Sequence, residues 1–196
     1  MTVADEIRAL YASRGGSAYY GEPVSMLEHG LQAAHFAAEA GAAKTLIVAA
    51  LLHDVGHLLE QVPADIADWR SDAHHEETGA RWLAQRFPPE VSDPVRLHVP
   101  AKRYLCATER KYFEQLSAAS VHTLQLQGGP MSAVEIAAFE REPYHRDAVR
   151  VRRWDDAGKV ENLKTGSLED VLVLVESVAR RAAGVAGALG AKPKGG

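Results

Sequence analysis

The sequence predicts an all-α protein, a bundle of helices with one short β-hairpin as an option in its C-terminal third. Two capping boxes, Ser25 with Glu28 and Ser132 with Glu135, mark helix starts. Glycines follow several apolar segments at the positions where helices would end. Strand-like alternation is confined to residues 149–163, with a glycine at the turn. Helical signals therefore dominate the chain.

The predicted elements follow from periodicity and from these start and stop signals. Helices are expected, in chain order, at residues 3–13, 25–40, 43–59, 75–86, 90–98, 109–126, 132–141 and 167–181. The 43–59 helix is apolar on nearly all sides, which predicts burial at the centre of the fold. Pro100 predicts a break after the 90–98 helix. Residues 60–74 show no clear period and are expected to form a long loop, a candidate lid.

Composition predicts one globular domain, residues 1–185, and a flexible tail at 186–196, because 46% of the 196 residues are apolar and 24% are charged. The formal charge of −4 argues against a broad electrostatic grip on nucleic acid or on an anionic membrane. The longest apolar run, 46–52, is too short to span a bilayer. The single cysteine, Cys106, excludes an internal disulfide framework and suits the reducing cytoplasm, which is the predicted location.

Histidines are the most informative residues of the sequence. Seven of the nine fall within 70 residues. One of these, His35, is interpreted as an ordinary polar histidine, and the other six are His29, His53, His57, His74, His75 and His98. Any one of them alone is as well explained by a hydrogen-bonded core imidazole. His53 and Asp54, however, lie in the most apolar helix, where an unpaired charge would be costly and a metal cation would remove that cost. His57, at i+4 from His53, is either a ligand or a close neighbour of the ligands.

Adjacent residues on a helix diverge by about 100°, so His53 and Asp54 cannot face one atom from the middle of a helix. A site at the helix edge, or an Asp54 that bridges two metals, would resolve this. The proposed ligands are four histidines and two aspartates: His29, His53, His75, His98, Asp54 and Asp155. This nitrogen and oxygen set suits iron, manganese, cobalt or zinc.

Two polar features could bind an anion beside these metals. Lys102 lies at i+4 from His98, although Pro100 leaves a regular helical face between them uncertain. Ser120, Thr123 and Gln127 repeat at helical spacing and would present two hydroxyls and an amide on one face. A solvated helix face would explain the same stripe.

The motifs resemble those of the HD-domain superfamily, an all-helical metal-binding fold. The resemblance begins with His29, with His53-Asp54 in Leu-Leu-His-Asp-Val-Gly-His, and with Asp155. Further motifs are similar to the branch of mixed-valent di-iron oxygenases that cleave carbon–phosphorus bonds: Tyr19-Tyr-Gly-Glu22, His98-Val-Pro-Ala-Lys-Arg-Tyr-Leu105, Ser120-Val-His-Thr123, Gln127-Gly-Gly-Pro-Met131 and Arg153-Trp-Asp155. The similarity covers residues 5–165.

The resemblance implies two iron ions in the mixed-valent Fe(II)/Fe(III) state, with dioxygen as co-substrate. One iron would be held by His29, His53, Asp54 and Asp155, and the other by Asp54, His75 and His98. Tyr19 would occupy the open coordination position next to Glu22 until substrate arrives. The candidate catalytic residues are therefore Tyr19, Glu22 and His57, and the candidate substrate-binding residues are Lys102, Ser120, Thr123, Gln127 and His57.

The implied substrate is a small hydroxyphosphonate of the 1-hydroxy-2-aminoethylphosphonate type, delivered by an upstream phosphonate hydroxylase without stable binding. The N-trimethylated form, which would yield glycine betaine and phosphate, is slightly favoured over the free amine, which would yield glycine. The reason is Trp69 among the carboxylates of the 65–72 segment, where an indole could accept a quaternary ammonium.

Two alternatives remain open from the sequence. An HD-type phosphohydrolase would use the same metals to activate water against a phosphate ester. A metal-dependent binding or signalling module would turn over no small molecule.

Overall fold

A computed structural model describes residues 1–60 and 74–180. In this part of the chain ten α-helices occur and no strand, with one isolated bridge between Ala18 and Ser25. The helices are α1 (Val3–Arg14), α2 (Met26–Glu39), α3 (Lys44–Leu52), α4 (Val55–Leu59), α5 (His75–Ala84), α6 (Pro89–Thr108), α7 (Ala118–Leu126), α8 (Ala133–Phe139), α9 (His145–Ala157) and α10 (Leu168–Val178). A 3₁₀ turn, Phe113–Gln115, precedes α7. The all-α prediction is confirmed.

Helix α3 lies at the centre of the fold, as its apolar composition predicted. All seven residues from Leu46 to Leu52 are buried. The helix contacts α2, α6, α9 and α10, while α6 also packs against α5 and α9. These contacts bring α2, α5, α6, α9 and the end of α3 around one point, where the candidate ligands lie.

The capping predictions agree with the observed helix starts. The Ser25 hydroxyl accepts a hydrogen bond from the Glu28 backbone N–H, and the Glu28 carboxylate accepts one from the Ser25 N–H. Ser132 and Glu135 form the same reciprocal pair at α8. Both boxes satisfy N–H groups that have no partner inside the helix.

The prediction of one continuous 43–59 helix is wrong, because the helix ends at Leu52 and α4 begins at Val55. Asp54 has φ −101° and ψ 15°, outside the helical region. This interruption turns the adjacent His53 and Asp54 side chains towards the same centre. The site therefore lies at a helix edge, one of the two solutions that the sequence left open.

The break predicted at Pro100 is also wrong. Helix α6 continues through Pro94 and Pro100 to Thr108. Each proline removes one N–H from the helix, but packing against α3, α5 and α9 stabilises the helix on several sides. As a result His98 and Lys102 lie one turn apart on the same regular helix.

Two further expectations are corrected by the helices around α7 and α9. The predicted 109–126 helix begins only at Ala118, where the Ser117 hydroxyl caps it by accepting from the Ser120 N–H. The optional hairpin at 149–163 is not formed, because residues 145–157 are helical. The buried side of α9 contains Ala148, Val151, Arg152 and Asp155, and the two charged residues conceal its helical period.

No helix in residues 1–60 and 74–180 combines the length and apolar character needed to cross a bilayer. The lid expected at residues 60–74 and the tail expected at 186–196 lie outside the described residues, apart from Glu60 and His74.

Candidate metal centre

Two groups of buried side chains meet at Asp54. His29, His53 and Asp54 form one group, and Asp54, His75 and His98 form the other. Oδ2 of Asp54 lies 3.7 Å from Nε2 of His29 and 3.5 Å from Nε2 of His53. Its other oxygen, Oδ1, lies 3.2 Å from Nε2 of His75 and 3.5 Å from Nε2 of His98. One carboxylate thus faces both groups with different oxygens.

The imidazoles are oriented by their outer nitrogens. Nδ1 of His29, His53 and His98 each lies 2.7–2.9 Å from a peptide carbonyl oxygen. A carbonyl only accepts hydrogen bonds, so the Nδ1 atoms carry the proton and the Nε2 lone pairs face the centre. Nδ1 of His75 lies 3.6 Å from a carboxylate oxygen of the buried Glu76. This arrangement is typical of metal-binding histidines.

The inward nitrogens fit a cation between them. Nε2 of His29 lies 3.0 Å from Nε2 of His53, and Nε2 of His75 lies 3.2 Å from Nε2 of His98. For the first pair both Nε2 atoms are acceptors, so their lone pairs repel each other and they cannot form a hydrogen bond. Burial lowers the pKa of His53 to about 4, which keeps that ring neutral at pH 7. A metal ion would replace this repulsion with coordination.

Asp155 adds a carboxylate to the His29 and His53 side. Its Oδ1 is buried without a hydrogen-bond partner and lies 3.5 Å from Nε2 of His29. Its Oδ2 accepts from Nη1 of Arg152 at 2.7 Å. Burial alone would raise the pKa of Asp155, but the guanidinium and the neighbouring imidazoles hold it well below its usual range. An ionised and buried Oδ1 of Asp155 is therefore well suited to bind a metal ion.

All six side chains expected to hold metal therefore converge, and the donor set of imidazole nitrogens and carboxylate oxygens fits two divalent or trivalent ions. Within the described residues the two groups share Asp54 and no cysteine contributes to either group.

Tyr19 contacts both the bridging carboxylate and a histidine. Its hydroxyl donates to Oδ2 of Asp54 at 2.7 Å, and its ring stacks on His29 with centroids 3.9 Å apart. Burial and the nearby carboxylates raise the pKa of Tyr19 well above its usual value, so the hydroxyl remains a donor. Glu22 lies at the same pocket but contacts other groups. Its Oε1 accepts from the Ser117 hydroxyl at 2.5 Å and lies 3.4 Å from Nζ of Lys159.

His57 belongs to neither ligand group within the described residues. Its ring stacks on His75 with centroids 3.9 Å apart and meets the ring of Tyr20 edge-on. Burial and His75 lower its pKa well below the usual value. The His57 ring therefore packs against the candidate ligand His75 and lines the pocket.

A pocket with about 460 Å³ of empty space, part of it open to solvent, lies beside the two groups. All five predicted substrate-binding residues line this pocket: His57, Lys102, Ser120, Thr123 and Gln127. Nζ of the buried Lys102 donates to the Thr123 hydroxyl at 2.8 Å. Burial lowers the pKa of Lys102 to about 7. Oε1 of Gln127 is buried without a hydrogen-bond partner.

Sequence reasoning missed three polar residues of this pocket: Tyr20, Arg152 and Lys159. Arg152 is 4% exposed and lies at i−3 from Asp155, a spacing that would have placed it on the ligand face of a helix. The predicted motif stressed Arg153, which instead pairs with Glu109 at the surface. Lys159 follows α9 in a short segment with no periodic signal, so only the tertiary structure reveals it.

Comparison with known proteins agrees with this geometry. The HD domain family matches residues 26–184. The chain belongs to the HD-domain family. This match confirms the resemblance to the HD-domain family that the sequence motifs indicated.

Two similar HD-domain proteins are named as phosphonate dioxygenases. [1-Hydroxy-2-(trimethylamino)ethyl]phosphonate dioxygenase (glycine-betaine-forming) of Leisingera caerulea is 47% identical over 163 residues, which are 83% of each chain. Hydroxymethylphosphonate dioxygenase of Gimesia maris is 48% identical over 167 residues, 83% of this chain and 81% of that protein. An uncharacterized mimivirus protein, L432, is 37% identical over 77% of this HD-domain chain and 70% of its own length.

Proposed function

We propose that this protein uses dioxygen to cleave the carbon–phosphorus bond of a 1-hydroxyalkylphosphonate. The hydroxyl-bearing carbon is oxidised to a carboxylate and the carbon–phosphorus bond breaks. Dioxygen accepts four electrons, and its two oxygen atoms complete the carboxylate and the phosphate. The N-trimethylated 1-hydroxy-2-aminoethylphosphonate is slightly favoured as substrate and would give glycine betaine. The free amine would give glycine.

One observation carries the proposal: Asp54 turns one oxygen to each of two histidine pairs at the wall of a pocket that also contains basic and hydroxyl side chains. Names of the two phosphonate dioxygenases at 47% and 48% identity support the same chemistry. We assign His29, His53, Asp54 and Asp155 to one iron, and Asp54, His75 and His98 to the other. A mixed-valent Fe(II)/Fe(III) pair would supply oxygen activation at this site.

The protein's own contribution is positioning and charge neutralisation. A phosphonate carries about two negative charges and needs cationic and hydroxyl donors. Lys102, Ser120, Thr123 and Gln127 offer such donors in the pocket, and Arg152 lies beside them. We assign His57 to the same pocket, where its ring stacks on His75 and helps to fix that candidate ligand. The hydroxyl-bearing carbon would then lie on the metal side of the pocket.

The substrate's other end would lie near Tyr19 and Glu22. Glu22 offers a carboxylate and Tyr19 an aromatic face, the two groups that recognise a quaternary ammonium. Displacement of the Tyr19 hydroxyl from Asp54 on binding would couple substrate arrival to oxygen activation. The indole that also favoured the trimethylated form, Trp69, lies outside the described residues.

A phosphohydrolase is the alternative, because the HD-domain match and the cationic wall also suit a phosphate ester. Phosphate release should be measured with 1-hydroxy-2-(trimethylamino)ethylphosphonate and with a phosphate monoester, in air and under argon. We expect release only from the phosphonate and only in air. Release from the ester that is equal under argon would contradict the proposal.

Electron paramagnetic resonance of the partly oxidised iron protein tests the metal assignment separately. A mixed-valent signal that changes on addition of the hydroxyphosphonate is expected. Absence of a coupled two-iron signal from active protein would contradict the assignment.

Three wider predictions complete the proposal. Residues 1–185 form one catalytic domain that works in the cytoplasm. An upstream phosphonate hydroxylase supplies the hydroxyl group, because the reaction needs an oxygen already on the carbon next to phosphorus. No stable complex between the two enzymes is required, since the substrate is a small molecule.

A further inference from the structure

Lys159 contacts both ends of the expected substrate position. Its Nζ lies 3.1 Å from the Ser120 hydroxyl, on the phosphonate side, and 3.4 Å from Oε1 of Glu22, on the nitrogen side. It also lies 5.8 Å from the centroid of the Tyr19 ring. A protein ammonium therefore already stands beside the carboxylate and the aromatic face that would recognise a substrate ammonium.

The segment that carries Lys159 is held in place on both sides by α2. The Gly158 carbonyl accepts from Nδ1 of His29 at 2.9 Å. The amide of Gln32 makes two hydrogen bonds to Val160, donating to its carbonyl at 2.9 Å and accepting from its N–H at 3.0 Å. Gln32 is 2% exposed, so its amide is shielded from water on the α2 side of these bonds. Lys159 is thus presented to the pocket by a fixed backbone.

A side chain at position 158 would disturb the packing of this segment against α2. A Cβ atom there would lie 3.2 Å from the carbonyl oxygen and 3.3 Å from Nδ1 of His29. Glycine permits the close approach of the 158–160 backbone to α2, and therefore helps to place Lys159 beside Glu22.

The Lys159 and Glu22 side chains are only 12% and 11% exposed. A carboxylate at such a depth is costly without a positive partner. A hydroxyphosphonate that carries no nitrogen, such as hydroxymethylphosphonate, would bring two negative charges and leave Glu22 unpaired unless the protein provides that partner. A trimethylammonium substrate brings its own positive charge.

We propose that Lys159 is a specificity-determining residue that neutralises Glu22 and so lets one pocket accept hydroxyphosphonates without a cationic group as well as those with one. This inference rests on the proposed function and extends it to a second class of substrate. When a trimethylammonium group occupies the face of Tyr19, Lys159 moves its contact towards Ser120 and the phosphonate. When no such group is present, it stays with Glu22.

The test compares two substrates with three proteins. Wild type, Lys159→Met and Lys164→Met are assayed with hydroxymethylphosphonate and with 1-hydroxy-2-(trimethylamino)ethylphosphonate. Lys164 is an exposed lysine in the following segment and serves as the matched control. In Lys159→Met we expect kcat/KM for hydroxymethylphosphonate to fall by about thirtyfold or more, the loss typical of an unpaired buried charge. The trimethylated substrate should lose markedly less, and Lys164→Met should lose neither.

A second variant separates the charge effect from a folding defect. Glu22→Gln combined with Lys159→Met removes both charges, so it should recover much of the hydroxymethylphosphonate activity lost in Lys159→Met. Equal losses for both substrates in Lys159→Met, or no recovery in the double variant, would overturn the proposal.

Binding measurements under argon keep this test independent of turnover. Calorimetric titration of the two phosphonates into the metal-loaded proteins should show the same selective loss for the amine-free compound. If wild type binds both compounds with this pattern but oxidises neither, the proposed function fails while the role of Lys159 stands. If wild type oxidises both compounds but Lys159→Met loses the same affinity for each, the role of Lys159 is disproved while the proposed function stands.

Discussion

The hydroxyl of Tyr19 donates a 2.7 Å hydrogen bond to Oδ2 of Asp54, the oxygen that also faces His29 and His53. The ring of Tyr19 stacks on His29, so the tyrosine covers the first metal position from the pocket side. Under the proposed function, a substrate that reaches Oδ2 of Asp54 would displace this hydroxyl. We therefore expect the tyrosine to limit oxygen activation in the absence of substrate.

Removal of the hydroxyl tests this relationship. Tyr19→Phe should keep two metal ions per chain, because Tyr19 contacts a ligand but is not needed to hold the metal. We expect oxygen consumption without substrate to rise severalfold, measured with an oxygen electrode. Tyr104→Phe is the matched control, since it loses one hydrogen bond to Glu140 away from the pocket. Loss of metal from Tyr19→Phe, or unchanged background consumption, would contradict the gating role.

Two adjacent histidines allow a sharp test of the second metal position. Nε2 of the buried His75 lies 3.2 Å from Asp54, whereas the side chain of His74 is 69% exposed. His75→Ala should reduce the metal content from two ions to one per chain, measured by elemental analysis, because the second group loses one of its three ligands. His74→Ala should keep both ions. A His75→Ala protein that still holds two ions would disprove the assignment.

Helices α4 and α5 touch through Gly56, and the contact fixes His75. A Cβ atom at Gly56 would lie 2.0 Å from the His75 carbonyl oxygen, which is a severe steric clash. Gly56→Ala should lower the free energy of unfolding by roughly 1–3 kcal/mol or more and reduce the metal content, because α5 must move away. At Gly16 a Cβ would meet nothing within 4 Å, so Gly16→Ala should change stability by only about 0.5 kcal/mol. Equal thermal melts for the two variants would contradict the packing argument.

Lys102 should make phosphonate binding depend on pH. Burial lowers its pKa from 10.5 to about 7, and a bound phosphonate dianion favours the charged form. Binding at pH 8 should therefore take up a proton, measured by calorimetry in buffers of different ionisation enthalpy. Lys102→Met should bind without this uptake and with a raised KM, while its metal content stays near normal. Loss of metal would show that the lysine supports the metal centre instead.

The same pKa shift predicts a change in stability. Between pH 7 and 10.5 the unfolded chain holds the Lys102 proton and the folded protein largely does not. The free energy of unfolding should therefore increase with pH across this window, by the linkage between proton binding and folding. In Lys102→Met this contribution should vanish, as denaturant titrations at pH 7 and pH 9.5 would show.

The candidate metal ligands could be predicted from the sequence because their chemistry is unusual for their surroundings. His53 and Asp54 place an imidazole next to a carboxylate in an apolar segment, and a bound metal ion would offset the cost of burying that charge. Capping boxes at Ser25 and Ser132 likewise act over three residues, so local sequence is enough to recognise them. Similarity of motifs then extended the ligand set to residues as distant as Asp155.

Other features depended on contacts between distant elements. Pro100 lies inside α6 because neighbouring helices stabilise it, and His53 and Asp54 face one centre because the helix stops at Leu52. Lys159 carries no recognisable local signal, since a lysine in a polar segment is usually solvated. The i−3 spacing of Arg152 from Asp155 becomes informative only because residues 145–157 form a helix. Burial on α9 and the anchoring of 158–160 to α2 turn them into pocket residues.

The sequence by itself thus predicted the helical class, the capped helix starts at Ser25 and Ser132 and the side chains of the candidate metal centre, because capping, periodicity and the cost of buried charge act locally or through residue type. Only the tertiary structure decided which oxygen of Asp54 faces which histidine pair, and that Lys159 stands between Glu22 and Ser120. Those relationships arise from the packing of helices far apart in the chain, which no local pattern encodes.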